Sequence, residues 1–210
     1  MIRILLIDDH AVVRAGYRRF LERSKLVTVV AEGENAEQGY TQFRQHAPDV
    51  SIIDLSMPGV GGLALIRRII AHEPLARVLV FSMHEEAVFA ERALQAGACG
   101  YVTKQSPPEV LVEAVHEVYA GRRFLGPGIA QQLTLCKFGN DSITALSAKE
   151  FEVFRLIALG QSVANIANTL RLSLKTVANH QTQVKEKLGA STTTALVHIA
   201  FRHGVIALSG

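Results

Sequence analysis

From Ile2 to about Gly121 the chain alternates, five times over, a short β-rich run with a longer run of helical periodicity. The strand runs are Ile2–Ile7, Val27–Glu32, Val50–Asp54, Arg77–Ser82 and Cys99–Thr103. The helical runs between and after them are Val12–Arg23, Ala36–His46, Leu63–His72, Ala87–Ala96 and Pro108–Ala120. This alternation predicts a doubly wound α/β fold on a five-stranded parallel sheet. Such sheets bind ligands beyond the carboxyl ends of their strands, where strand order reverses. Asp8, Asp9, Asp54, Ser82 and Lys104 all fall at those ends.

The pattern then changes. Residues 122–144 read as a linker, with Gly126-Pro127-Gly128 and Gly139-Asn140-Asp141-Ser142 as breakers and a short helix over Ile129–Cys136. From 145 to 210 the periodicity is helical throughout. "LSAKEFEVFRLIALG" opens with Ser147 and Glu150 in capping-box spacing. "SVANIANTL", "SLKTVANHQTQVKEKLG" and "STTTALVHIAFRHG" supply three more helices, capped by serine at their starts or stopped by glycine at their ends. Four short helices with a tight turn between the second and third predict a small all-α helix-turn-helix domain. The expected organisation is therefore 1–121, a linker, and 145–210.

Charge separates the two halves. Residues 142–210 hold seven Lys or Arg against three acids, a surplus of four in a chain whose net charge is +3. A polyanionic partner is thus expected for the rear half alone. Cys99 and Cys136 lack metal-type spacing, and "MIRILLIDDH" reads as a first strand rather than a leader, so a reduced, cytoplasmic protein with no membrane partner is expected.

Three carboxylates at one sheet edge repel one another, and a hard divalent cation with oxygen ligands relieves the repulsion. Mg²⁺ suits Asp8, Asp9 and Asp54. Asp54 is then placed to attack a phosphoryl group and form an acyl phosphate, with Ser82 and Lys104 donating to the phosphoryl oxygens. Each residue also has a structural use. Asp8 or Asp9 can cap the following helix, Ser82 can form a capping box with Glu85, and Lys104 can be a solvated surface cation.

In "SLKTVANHQTQVKEKLG", Val177, His180, Val184 and Leu188 share one helical face, and Lys175, Asn179, Thr182 and Glu186 share the opposite one, with Gln183 and Ala178 beside them. Such a polar stripe either reads base edges and phosphates in a major groove or is simply solvated. On the last helix Thr194, Val197, His198 and Phe201 share a face, either a dimer patch or core packing.

Through "LLIDDH", "IIDLSMPGVGG", "VFSMHEE" and "GYVTK", residues 1–121 resemble the receiver domain of bacterial two-component response regulators. The resemblance implies that Asp54 is the phosphoacceptor for a sensor histidine kinase. It implies Mg²⁺ on Asp9, Asp54 and the Ser56 backbone carbonyl, aided by Asp8, phosphoryl contacts from Ser82 and Lys104, and a switch at Tyr101. Through "LSAKE", "LIALGQS", "IANTLRLSLKTVANH", "KEKLGA" and "HGVI", residues 145–206 are similar to the LuxR-type helix-turn-helix of the NarL/FixJ class. That likeness makes Leu174–Leu188 a recognition helix, with Lys175, Thr176, Asn179, Thr182, Gln183, Lys185 and Lys187 as candidate contacts to double-stranded promoter DNA. It implies homodimerisation on phosphorylation, with RNA polymerase among the partners such a regulator can meet. Ala178 stands where members commonly carry a lysine, Asn165 where they carry glutamate, and Gln105 where proline often follows the lysine.

Two rival classes are weighed against this reading. A phosphohydrolase of the haloacid-dehalogenase type wants a second acid two residues after its nucleophile, where this chain has Ser56. A nucleotide-binding enzyme wants a glycine-rich turn after the first strand, and "IDDHAVVRAG" has none in place. A turnover enzyme is therefore not expected. A phosphorylation-dependent switch whose helical end docks a protein instead of DNA stays open.

Overall fold

The computed structural model describes residues 1–23, 25–57, 61–136 and 142–206. They form two compact units, Met1–Cys136 and the residues after it.

The first unit runs β1 (Ile2–Ile7), α1 (Ala11–Glu22), β2 (Val27–Gly33), α2 (Ala36–His46), β3 (Val50–Ile53), α3 (Gly61–His72), β4 (Val78–Ser82), α4 (Ala87–Gln95), β5 (Gly100–Thr103), α5 (Pro108–Tyr119), β6 (Phe124–Leu125) and α6 (Pro127–Cys136). The strands lie in the order β2-β1-β3-β4-β5-β6, all parallel. The chain moves outward from β1 in one direction to β2 and in the other to β3, so strand order reverses between β1 and β3. Ile7 pairs with Ile53 across that seam, and the Asp54 amide donates to the Ile7 carbonyl at 2.9 Å. The two strands therefore end flush, which puts Asp8 and Asp54 side by side. The inner strands are apolar almost throughout because helices cover both faces. Their side chains, with those of α5, form a core around Ile4, Leu6, Ile52, Leu79, Phe81, Val102 and Val115.

Gly62 fixes the distance between α3 and the end of β3. A Cβ there would collide with the Asp54 carbonyl oxygen and lie 2.8 Å from Leu55 Cα. Only glycine lets α3 begin this close to the buried acid. Pro58 and Gly59 between them, like residues 139–141 of the second breaker, lie outside the described residues.

The sheet has a sixth strand that the sequence pattern does not reveal. Phe124 and Leu125 pair with Gly100 and Tyr101. Two residues are too few to display strand alternation. A Cβ on Gly100 would sit 2.8 Å from the Phe124 carbonyl oxygen, so glycine admits the pairing. The Gly126-Pro127-Gly128 run starts a helix instead of merely breaking one: Pro127 is its first residue, where a missing N–H costs nothing, and the Gly126 carbonyl accepts from Ala130. Residues 124–136 thus belong to the first unit, within the stretch expected as linker.

In the second unit a 3₁₀ turn (Ser142–Ala145) precedes α7 (Ala148–Ala158), α8 (Val163–Leu170), α9 (Leu174–Leu188) and α10 (Thr193–Arg202). Ser147 and Glu150 form the full capping box, and Ser162, Ser173 and Thr192 each accept from the amide three residues on. The turn from α8 to α9 takes three residues, opened by Arg171 in the left-handed region at φ 53°. Phe151, Phe154, Ile166, Val177, Val184 and Leu196 fill the core. Among the described residues no helix is long and apolar enough to cross a membrane.

Candidate functional site

Asp8 follows β1, Asp54 follows β3 and Lys104 follows β5, and the loops carry all three to one point. The Lys104 ammonium donates to Asp8 Oδ2 at 2.5 Å and to Asp54 Oδ2 at 2.8 Å. All three side chains are nearly inaccessible, with 6% of Lys104 and 1% of Asp54 exposed. Burial alone would lower the Lys104 pKa, yet hydrogen bonds and charge from Asp54 and Asp8 outweigh it and hold the ammonium above its usual range. Lys104 is thus not the solvated surface cation that its sequence position also allowed.

Asp8, Asp9, Asp54 and His10 each offer a ligand atom, all within 4.8 Å of one another. One ammonium does not balance three carboxylates, and Asp9 Oδ1 is enclosed without a hydrogen bond. His10 Nδ1 lies 2.9 Å from it, an approach that is an ion pair only when the imidazole is protonated. An enclosed, unsatisfied carboxylate oxygen beside two others fits a hard divalent cation. His10 was missed in the sequence, although it directly follows the two acids; its own ring is largely exposed. Neither acid caps α1. The N-cap is His10, without a side-chain cap bond, and Asp8 Oδ1 instead accepts from the His10 amide at 2.8 Å.

Ser82 is fully buried at the end of β4. The capping box with Glu85 does not form: α4 starts at Ala87 with Glu86 as N-cap, and Ser82 Oγ accepts weakly from the His84 amide at 3.3 Å. Among the described hydrogen bonds none joins Ser82 to Asp54; the serine meets the loop, not the acid. Tyr101 is also fully buried, and its hydroxyl donates to the His84 carbonyl at 2.8 Å. Burial pushes its phenol well above the ordinary range. His84 is therefore held from both sides. Its ring stacks on Phe89 with centroids 3.8 Å apart, and its Nε2 lies 3.3 Å from Ser56 Oγ. Ser56 is exposed and donates its amide to Asp54 Oδ1 at 3.2 Å.

In the second unit α9 exposes Lys175, Asn179, Thr182, Gln183 and Glu186 along one stripe, with Ala178 among them. Thr176 and Lys185 are half-buried, and the Thr176 hydroxyl is engaged with Ser173 Oγ at 2.8 Å. Lys187 is tied inward, with its ammonium 2.7 Å from Glu150 Oε2. His180 is half-buried with Nδ1 enclosed, as its place on the apolar stripe implies. On α10, Thr194, His198 and Phe201 are exposed and Val197 is half-buried, so this stripe is not core.

Fold and site together define a two-part regulator, an α/β unit with an acidic pocket at its switch point followed by a helix-turn-helix unit. Residues 4–116 match the response regulator receiver domain, and residues 144–200 match the bacterial regulatory proteins of the luxR family. The chain is 37% identical over 209 residues to the response regulator UvrY of Escherichia coli K12, covering 98% of this chain and 96% of that one. It is 38% identical over 210 residues to the response regulator GacA of Pseudomonas aeruginosa, covering 98% of each. Among solved structures, RcsB from Salmonella enterica serovar Typhimurium, bound to promoter P1flhDC with the phosphomimetic BeF₃⁻, superposes with a TM-score of 0.73 at 30% identity, covering 96% and 98%. The chain belongs to the two-component response regulators of the NarL/FixJ class, with a receiver domain and a LuxR-type helix-turn-helix domain.

Proposed function

We propose that Asp54 accepts a phosphoryl group from a histidine kinase and that the adduct controls promoter binding by the second unit. The observation that carries this is the buried Asp54 carboxylate, 2.8 Å from Lys104 Nζ and grouped with Asp8 and Asp9 at the switch point. In the transfer an Asp54 oxygen forms a P–O bond as the P–N bond of the donor phosphohistidine breaks. The donor ring, already protonated on its other nitrogen, leaves as neutral imidazole. Asp9, Asp54 and the Ser56 carbonyl, with Asp8 beside them, would hold Mg²⁺, which supplies positive charge to the phosphoryl oxygens when bound. Lys104 neutralises a further oxygen, and Ser82 donates to a third once it leaves the His84 amide. Tyr101, whose hydroxyl grips the same loop, moves with it.

In the second unit Lys175, Asn179, Thr182 and Gln183 face the major groove, with Lys185 and Thr176 at its margin. The exposed stripe of α10 offers the dimer contact, so that two units engage two half-sites and multiply a modest single-site affinity. RcsB was captured on promoter DNA with a phosphate mimic, which supports the same arrangement here. The test is phosphorylation by a small phosphodonor with Mg²⁺, read by mass spectrometry of Asp54 and by DNA binding before and after. Asp54→Asn should abolish both responses; an unchanged binding isotherm on fully acylated protein would overturn the switch. The protein-docking alternative draws on the inward-turned Lys187 and on Ala178, which thin the positive charge of α9. A steep fall of DNA affinity with salt decides against it.

A further inference from the structure

Helix α4 has no cap of its own. Glu86 occupies its N-cap position without a side-chain cap bond, and the first amide of the helix, Ala87 N–H, donates instead to Gln132 Oε1 at 3.1 Å. Gln132 lies 45 residues further on, in α6, the last helix of the first unit. An amide oxygen at a helix N-terminus meets both the orphan donor and the positive end of the macrodipole, as a local cap would.

Helix α6 is fastened at a second point. Gly126 N–H, directly before it, donates to the Tyr101 carbonyl at 2.9 Å, and Ile129 in its first turn is 1% exposed. Tyr101 in turn holds the His84 carbonyl, and Ser82 holds the His84 amide. Among the described hydrogen bonds, the backbone of the loop from β4 to α4 is therefore gripped at three places: at the His84 amide by Ser82, at the His84 carbonyl by Tyr101, and at the Ala87 amide by Gln132. Two of those three grips lead to α6, through Tyr101–Gly126 and through Gln132.

We infer that Gln132 is a latch: it positions α4 and keeps the linker helix docked for as long as the β4–α4 loop holds its present shape. The inference deepens the phosphoacceptor reading, on which its release step rests. When Ser82 leaves the His84 amide for a phosphoryl oxygen, the loop shifts at both ends, the Ala87–Gln132 bond breaks, and α6 is freed at its outer anchor. The helix that leads out of the receiver thus senses the acyl phosphate by losing a single hydrogen bond.

The test uses the full chain and hydrogen exchange of the amides in α4 and α6. Without phosphodonor, Gln132→Ala should exchange about fivefold faster than wild type over the first turn of α4 and over α6, the loss of one ordinary hydrogen bond, while Gln132→Glu, which keeps an acceptor, stays near wild type. Beryllofluoride with Mg²⁺ should accelerate the same amides in wild type and add little in Gln132→Ala. By linkage that variant should also bind beryllofluoride more tightly by the same factor, an effect that a merely structural contact would not produce. Equal protection in Gln132→Ala and wild type overturns the latch. With a small phosphodonor in place of beryllofluoride, an adduct on Asp54 by mass spectrometry with α6 unmoved overturns its release and leaves the phosphoacceptor standing. No adduct overturns the phosphoacceptor, and the release with it.

Discussion

Lys104 Nζ sits between Asp8 Oδ2 at 2.5 Å and Asp54 Oδ2 at 2.8 Å, so one ammonium holds two buried carboxylates that would otherwise face each other. Three β-strands separate in sequence meet in that one cation. The arrangement gives both carboxylates one shared partner, so loss of that cation leaves two buried charges uncompensated.

Replacing that cation tests the electrostatics. Lys104→Met should destabilise the receiver by about 3 kcal/mol in Mg²⁺-free buffer, because breaking a buried pair leaves uncompensated charge. Added MgCl₂ should restore part of the loss, and by more than it stabilises wild type. Urea denaturation with and without Mg²⁺ measures both; a variant indifferent to Mg²⁺ would place the cation elsewhere.

Gly62 tests the sterics of the same pocket. Its added Cβ in Gly62→Ala meets backbone, the Asp54 carbonyl and Leu55 Cα, neither of which can rotate away. The cost should be about 2 kcal/mol, in the range for overpacking a tight site. Phosphorylation of Asp54 should slow while Mg²⁺ affinity falls, since α3 and the acid are displaced together. Normal acylation kinetics in this variant would show that the spacing is slack.

These two residues also show what a sequence can and cannot disclose. Asp8, Asp54 and Lys104 were legible because strand ends of a doubly wound sheet converge, and the pattern of alternation locates the ends. His10 was not, because ring proximity depends on how the β1–α1 turn folds. The capping box open to Ser82 and Glu85 does not form because the N-cap of α4 is Glu86, four residues beyond Ser82, and Gln132 supplies an acceptor from 45 residues away. Strand β6 escaped because two residues carry no periodicity. The helical unit was read more fully, since all its helix starts depend on neighbours within one turn.

Tyr101 gives a prediction in pH. Its folded pKa is raised by burial above the ordinary 10.0 of an unfolded tyrosine. The neutral phenol therefore stabilises the fold fully below about pH 10, and that contribution is lost as pH rises through the folded value. Among the four tyrosines, one should resist phenolate formation in an ultraviolet titration until the receiver unfolds. In Tyr101→Phe the resistant step should vanish, with about 1 kcal/mol of stability lost from the missing bond to His84.

Lys187 separates a structural cation from a DNA-binding one. Its ammonium pairs with Glu150, the residue that completes the capping box of α7, and lies 3.5 Å from the Ala145 carbonyl. Burial alone would raise the Glu150 pKa, but hydrogen bonds from Lys187 and Ser147 prevail and leave it below the usual carboxylate value. The bonded carboxylate therefore stabilises the helical unit above about pH 4.5, and the contribution fades as pH falls through the depressed value. Lys187→Ala should cost about 1 kcal/mol, discounted because the lysine is 41% exposed, and should flatten that acid limb. It should leave the salt dependence of DNA binding unchanged, whereas Lys175→Ala should reduce the slope of log affinity against log salt by about 1. The converse change, Ala178→Lys, adds a cation to the exposed stripe and should steepen the slope by about the same amount. If Lys187→Ala and Lys175→Ala lowered the slope equally, the Glu150 pair would have to open on DNA, and Lys187 would return to the binding surface.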